Sequence, residues 1–217
     1  VGREVYVRDK DITTQEITLS NPLYDAAGRQ TYTFKRFKYL VDFSGFRSLS
    51  KFIFDDVEFQ CNGVCSGILL APTGLIFHVR DCFFSRPKDK GITSHGGGCQ
   101  GMFIDRCQFL SAEDALNVPE RKSIGFNVNA NDPKIRDNRA TKFRHFGVIT
   151  GANSLIKGNH FFQGDAISDG VRSAGFVIAK AYCSTIFNGN YIDNCFLEWT
   201  NEHDPTPNFT SGFSFSA

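Results

Sequence analysis

The sequence predicts an all-β chain with few helices, folded as a right-handed single-stranded parallel β-helix, which is a solenoid of about 25-residue coils. Three similar segments begin at Phe52, Phe77 and Met102, a constant step of 25 residues. The composition, with 23 Phe against one Met and one Trp, favours strands. No stretch of a dozen residues has the apolar spacing of an amphipathic helix. A regular stack of strands is therefore the fold that we predict.

The repeat continues at looser spacing through three more segments, and equivalent positions form columns. The first apolar column contains Phe54, Val79, Ile104, Ile135, Ile156 and Phe187. The second apolar column contains Phe59, Phe84, Phe109, Ala140, Phe161 and Ile192. A third column changes from apolar residues to asparagine and contains Val57, Cys82, Cys107, Asn138, Asn159 and Asn190. Because each coil stacks on the last at about 4.8 Å, the apolar columns should fill the interior and the asparagines should form a ladder at a turn.

An all-β sandwich with a common strand-to-turn pattern is the alternative, and the constant step favours the solenoid. We interpret residues 1–217 as one domain, in which 1–47 form irregular first coils, 48–200 the regular repeats and 201–217 the start of a further coil. The chain begins without Met and ends inside an alternating pattern. We therefore expect it to be a fragment of a longer protein.

Charge and cysteine content exclude some classes of function. The 24 basic and 23 acidic residues form no long runs of one sign, so we expect no nucleic-acid partner. No apolar run approaches the roughly 18 residues of a membrane span. The seven cysteines match no zinc pattern, which predicts no structural metal. Cys61 and Cys65 could form a disulfide, whereas Cys82 and Cys107 are expected to pack as small buried residues.

Acidic residues recur after the second apolar column and are candidate catalytic groups. Asp89 and Asp114 lie seven residues after the third column, and Asp165 lies six after it. Stacking predicts a separation of about 5 Å between Asp89 and Asp114 and about 10 Å between Asp114 and Asp165. Paired carboxylates at about 5 to 9.5 Å serve as the acid and the nucleophile or base of glycosidases. The alternatives are carboxylates that stabilise turns, or a bound calcium ion.

The candidate substrate-binding residues surround these acids in the sequence. Glu113 precedes Asp114, while Arg144 and His145 fall between the last two acids. Glu198 lies eight residues after Asn190 of the third column and is followed by Trp199, whose indole ring can stack on the face of a sugar. Scattered aromatic residues more often belong to a core, and that alternative stays open for Trp199.

The repeated Ile-x-x-Cys/Asn-x-Phe coils resemble the pectin-lyase-like β-helix superfamily over about residues 48–200. That superfamily includes polygalacturonases, pectate lyases and phage tailspikes. The pair Glu113-Asp114 resembles the acidic pair of the hydrolases, although their Asn-Thr-Asp and Gly-His-Gly motifs are absent. The resemblance implies a polysaccharide-binding and polysaccharide-cleaving protein of glycoside hydrolase type. It also implies a secreted protein at the cell surface or on a virion, and a homotrimer.

Two other functions remain compatible with the sequence. A structural or adhesive solenoid, such as a spike or stalk, would use its acids only in turns. A polysaccharide lyase would combine calcium with a basic residue, for which Lys88, Lys90 and Arg144 are the candidates. Only the lyase would need a cofactor, namely Ca²⁺. The identity of the sugar does not follow from the sequence.

Overall fold

The computed structural model describes residues 7–10, 13, 17–19, 37–46, 51–71, 76–94, 99–164, 173–181, 185–200 and 213–216. Residues 1–36 and 37–217 form two compact units. In the first unit, strands β1 (Val7–Lys10) and β2 (Ile17–Leu19) pair antiparallel. The prediction of a single domain over the whole chain stays a prediction.

Three parallel sheets form the second unit. The first sheet contains β3 (Tyr39–Asp42), β6 (Ser66–Leu69), β9 (Lys90–Thr93), β13 (Ile124–Asn131), β16 (His145–Ala152), β19 (Ala174–Ala181) and β22 (Phe196–Thr200), with β10 (Cys99–Gln100) beside β13. The second contains β4 (Lys51–Asp55), β7 (Ile76–Arg80), β11 (Met102–Asp105), β14 (Lys134–Arg136), β17 (Leu155–Lys157), β20 (Thr185–Asn188) and β23 (Phe213–Ser216). The third contains β5 (Glu58–Gln60), β8 (Phe83–Ser85), β12 (Gln108–Leu110), β15 (Arg139–Thr141), β18 (His160–Phe162) and β21 (Tyr191–Asp193).

Successive coils visit the first, second and third sheets in turn, and this order confirms the predicted parallel solenoid. Strand register pairs Phe54 with Val79 and Phe59 with Phe84, as the columns predict. The same register continues coil by coil to Phe187 in the second sheet. The described helical structure consists of one 3₁₀ turn, Val118–Glu120. Few helices were expected, and the described residues confirm that expectation.

A sharp turn joins the second sheet to the third in each of the six coils for which the structure describes both strands. The residue before the third column has a left-handed backbone with φ between 52° and 68°, in Asp56, Asp81, Arg106, Asp137, Gly158 and Gly189. Aspartate and glycine tolerate this conformation, whereas arginine adopts it rarely. Arg106 is held there by two hydrogen bonds to the Asp81 carboxylate, at 2.7 and 2.5 Å.

The predicted asparagine ladder lies immediately after this left-handed residue. The Asn159 amide nitrogen donates to Asn190 Oδ1 at 2.8 Å, and Asn159 Oδ1 accepts from Asn138 Nδ2 at 2.9 Å. Asn138 Oδ1 in turn accepts from the backbone N–H of Cys107 at 2.8 Å. Each amide therefore satisfies polar groups of the neighbouring coil in the buried interior.

Three cysteines of the first regular coils, Cys61, Cys82 and Cys107, are buried, and Cys65 is half-buried. Cys82 and Cys107 are buried in the core, as the sequence predicts. No disulfide joins Cys61 to Cys65, and the Cys65 thiol donates to the carbonyl oxygen of Cys61 at 3.8 Å. Burial, which disfavours the charged thiolate, raises the pKa of Cys61 to about 12. The Cys61 thiol is therefore a poor nucleophile in this fold.

Phenylalanines of the third sheet stack face to face through the core, with ring centroids 4.7 Å apart for both Phe59–Phe84 and Phe84–Phe109. Glycines of the first sheet make room for these rings. A Cβ atom on Gly67 would lie 2.9 Å from the Phe84 ring, and one on Gly91 would lie equally close to the Phe109 ring. Each of these phenylalanine rings therefore fills the space that a glycine of the first sheet leaves open.

One coil exchanges the large and the small residue between these two columns. Ala140 occupies the aromatic column of the third sheet, while Phe146 occupies the glycine column of the first. The Phe146 ring is fully buried between Phe109 and Phe161, with centroid distances of 5.6 and 5.5 Å. The aromatic stack therefore continues past Ala140 because the ring comes from the opposite side of the core.

Candidate functional site

A groove opens on the outer face of the first sheet, over its first three strands. Its volume is about 470 Å³, and it is lined by Lys38, Tyr39, Asp42, Ser44, Leu69, Lys90, Thr93 and Ser94. Asp42, Leu69 and Thr93 lie side by side in the strand register. Leu69 is half-buried, whereas Thr93 is buried and its hydroxyl donates to the carbonyl oxygen of Asn127 at 3.3 Å.

The groove combines two lysines with hydroxyl groups and with the carboxylate of Asp42, which accepts from the backbone N–H of Ser44 at 2.8 Å. Lys38 Nζ lies 5.6 Å from the centre of the Tyr39 ring. The Lys90 ammonium makes no hydrogen bond or ion pair within the described part of the chain. Ser94 Oγ accepts from the backbone N–H of Asn129 at 2.6 Å, which leaves its own hydroxyl proton available to a ligand. These groups can bind anionic or hydroxyl-rich ligands.

The predicted catalytic residue Asp89 lies at the edge of this groove, immediately before Lys90. It is exposed, and its carbonyl oxygen accepts from the backbone N–H of Ile124 at 2.8 Å. Register therefore places Ser123 beside Asp89 in the next coil, followed by Arg144. Asp114 lies earlier in the long excursion of residues 111–123, which ends at Ser123. The predicted distance between the two carboxylates stays a prediction.

The excursion is anchored by Glu113, which the sequence suggested as a substrate ligand. Glu113 Oε2 accepts from the backbone N–H groups of Lys122 and Ser123, both at 2.7 Å. The Asp114 carboxylate makes no hydrogen bond or ion pair within the described residues, although the Asp114 carbonyl accepts from Lys142 Nζ at 3.3 Å. Of this acidic pair, Asp114 has the carboxylate that a ligand can reach without breaking the loop.

Two arginines hold the excursion against the body of the solenoid. Arg121 is buried, and it donates to the carbonyl oxygens of Leu116, at 2.9 Å, and of Gln163. Arg144 donates to the carbonyl oxygen of Val118 at 3.0 Å. Sequence reasoning missed Arg121 because a basic residue in a polar loop carries no signal of burial. Arg144 was predicted to bind substrate, and the structure gives its guanidinium a partner in the loop.

His145 is half-buried at the start of β16, with Nδ1 2.6 Å from the carbonyl oxygen of Ala174. Because a carbonyl oxygen only accepts hydrogen bonds, Nδ1 carries a proton and donates to Ala174. Burial lowers the pKa of His145, and the neighbouring Arg144 lowers it further. The hydrogen bond to Ala174 and the charge of Glu198 oppose this shift. Its predicted role in substrate binding stays a prediction.

We expect His145 to make the fold less stable as the solution becomes acidic. The folded state has the lower pKa, so below about pH 6.5 the unfolded chain binds the proton more readily and the free energy of unfolding falls. His145→Asn keeps a donor near Nδ1 but does not titrate. Denaturant unfolding at pH 7 and pH 5 should show a smaller loss of stability for the variant than for the wild type. Equal losses would contradict this assignment.

Two further predicted residues, Glu198 and Trp199, lie on β22 at one end of the first sheet. Glu198 is half-buried and pairs in register with Val177 on the first sheet. Trp199 packs against the hydrophobic core, which matches the alternative role that the sequence left open for it. Asp165 lies outside the described residues. A three-acid cluster that includes Asp165 therefore stays a prediction.

No protein-family model, curated protein or solved structure matches this chain. Within the ranges that the structure describes, no three His, Cys, Asp or Glu side chains are grouped to hold a metal ion. The described residues also contain no helix long and apolar enough to cross a membrane. The calcium ion of a lyase and the homotrimer stay predictions.

Proposed function

We propose that this protein binds polysaccharide in the groove of the first sheet. The observation that carries the proposal is the set of polar side chains around one open cavity, in which two ammonium groups, Lys38 and Lys90, lie with the Asp42 carboxylate and the Ser94 hydroxyl. Sugar hydroxyls and carboxylates form hydrogen bonds with ammonium and hydroxyl donors, and those to charged groups are the stronger ones. The resemblance to the pectin-lyase-like superfamily, with its right-handed coils and secreted location, supports the same proposal.

A charge-removing variant tests the groove. Lys90→Gln should weaken binding to polygalacturonate about tenfold, because a hydrogen bond to a charged group contributes about 1.5–3 kcal/mol. Lys51→Gln is the matched control, because Lys51 is an exposed lysine of the second sheet. Affinity gel electrophoresis with polygalacturonate, alginate and dextran measures the retardation. If no polysaccharide retards the wild type, the proposal fails and the structural or adhesive solenoid is favoured.

Cleavage is a second candidate, favoured by the free Asp114 carboxylate beside the anchored Glu113. The same incubations should then release reducing ends if the chain is a hydrolase. Calcium-dependent release of unsaturated sugars would instead indicate a lyase. Retardation of the protein without any product would leave binding as its function.

A further inference from the structure

The outer face of the third sheet carries a row of exposed polar and aromatic side chains along four consecutive coils. Register aligns Gln108, Arg139, His160 and Tyr191. All four are exposed, and Tyr191 is 61% exposed. At about 4.8 Å per coil, the row extends for roughly 14 Å along the solenoid. We call these four residues the third-sheet strip.

The polar groups of the strip are not used by the fold. The side chains of Gln108, Arg139 and His160 make no hydrogen bond or ion pair within the described part of the chain. The rings of His160 and Tyr191 pack edge to face with centroids 4.9 Å apart. This contact orders two neighbouring aromatic rings at the surface. Ordered side chains lose little conformational entropy when a ligand binds.

Charge is distributed unevenly along the solenoid and favours an acidic ligand at the strip. Residues 37–131 contain ten basic and ten acidic residues, whereas residues 132–164 contain six basic and two acidic residues. Arg139 and His160 of the strip belong to this basic segment. Arg136, its neighbour on the second sheet, is already paired with Asp105 at 2.7 Å. Arg139 is therefore the guanidinium of the strip that is available to a carboxylate.

We propose that the third-sheet strip is a second polysaccharide-binding surface, which binds carboxylated sugar chains more tightly than neutral ones. Arg139 binds a sugar carboxylate, Gln108 and His160 bind hydroxyl groups, and Tyr191 packs on a sugar ring. The strip lies on a different sheet from the groove. One long polysaccharide can therefore bind to both surfaces, or two polysaccharides can bind to one surface each. The inference rests on the proposed polysaccharide binding and adds a preference for acidic sugars.

Two variants of the strip test this assignment. Arg139→Gln should weaken binding to polygalacturonate at least fivefold and leave binding to dextran unchanged, because only the acidic polymer offers carboxylates. Tyr191→Ala should weaken binding to both polymers, since stacking does not need charge. Phe196→Ala, an aromatic side chain 43% exposed on the first sheet, is the control and should change neither. Affinity electrophoresis with both polymers supplies the measurements.

The groove variant separates failure of the strip from failure of the proposed function. If Lys90→Gln weakens binding and both strip variants bind as the wild type does, the strip is overturned and the groove stands. If the strip variants alone weaken binding, the strip stands and the groove fails. A wild type that binds neither polymer overturns both. Binding of a single-stranded DNA oligonucleotide as tight as that of polygalacturonate would overturn the assignment to carboxylated sugars.

Discussion

Replacing Phe146 with alanine is expected to lower the free energy of unfolding by about 3–5 kcal/mol, the usual cost of removing a buried phenylalanine ring. The ring is fully buried and contacts Phe109, Phe126, Phe161 and Phe176, with centroid distances between 5.0 and 5.6 Å. Its removal leaves a cavity among these four rings. Denaturant unfolding monitored by circular dichroism measures the change.

A double variant tests whether the side chains at positions 140 and 146 fill one shared space in the core. Phe146→Gly combined with Ala140→Phe restores the arrangement of the neighbouring coils, in which the ring comes from the third sheet and glycine faces it. The double variant should recover at least half of the stability lost by Phe146→Gly alone, whereas Ala140→Phe alone should destabilise by overpacking. Additive losses in the double variant would show that the two positions do not share one space.

Asn159→Ala is expected to lower the free energy of unfolding by about 3 kcal/mol or more, because several buried polar groups lose their partners together. The Asn159 side chain accepts from the backbone N–H and the amide of Asn138, at 3.1 and 2.9 Å. It also donates to the carbonyl oxygen of Ile135 at 3.0 Å and to Asn190 Oδ1 at 2.8 Å. Equilibrium unfolding in urea supplies the measurement.

Asn131→Ala is the matched control for the ladder. Asn131 is exposed at the end of β13, and its substitution should change stability by no more than about 0.5 kcal/mol. If Asn159→Ala lowers the free energy of unfolding no more than Asn131→Ala does, water replaces the hydrogen bonds of the ladder. A large loss confined to Asn159 would identify the ladder as a cooperative element that joins three coils.

Repetition in the sequence is enough to predict the solenoid and its register. Phe54, Val79 and Ile104 recur at equal steps, and stacked coils require equivalent residues at equivalent heights. The asparagine ladder follows from the same columns. Ala140 could be recognised as an exception to the aromatic column, but its compensation by Phe146 could not. The compensating ring lies on another sheet, and only the closure of the coil brings the two columns together.

The candidate site, too, could be predicted only in part from the sequence. Residue type and spacing singled out Asp89, Asp114 and their neighbours, but an insertion between coils breaks the periodicity on which their stacking was predicted. Tertiary structure decides that Glu113 anchors the loop and that Lys38, from an irregular segment, meets Lys90 across the groove. The sequence by itself thus determined which residues stack, because stacking follows a local period. Tertiary structure decided which side chains remain free for a ligand, because that depends on contacts between segments distant in the chain.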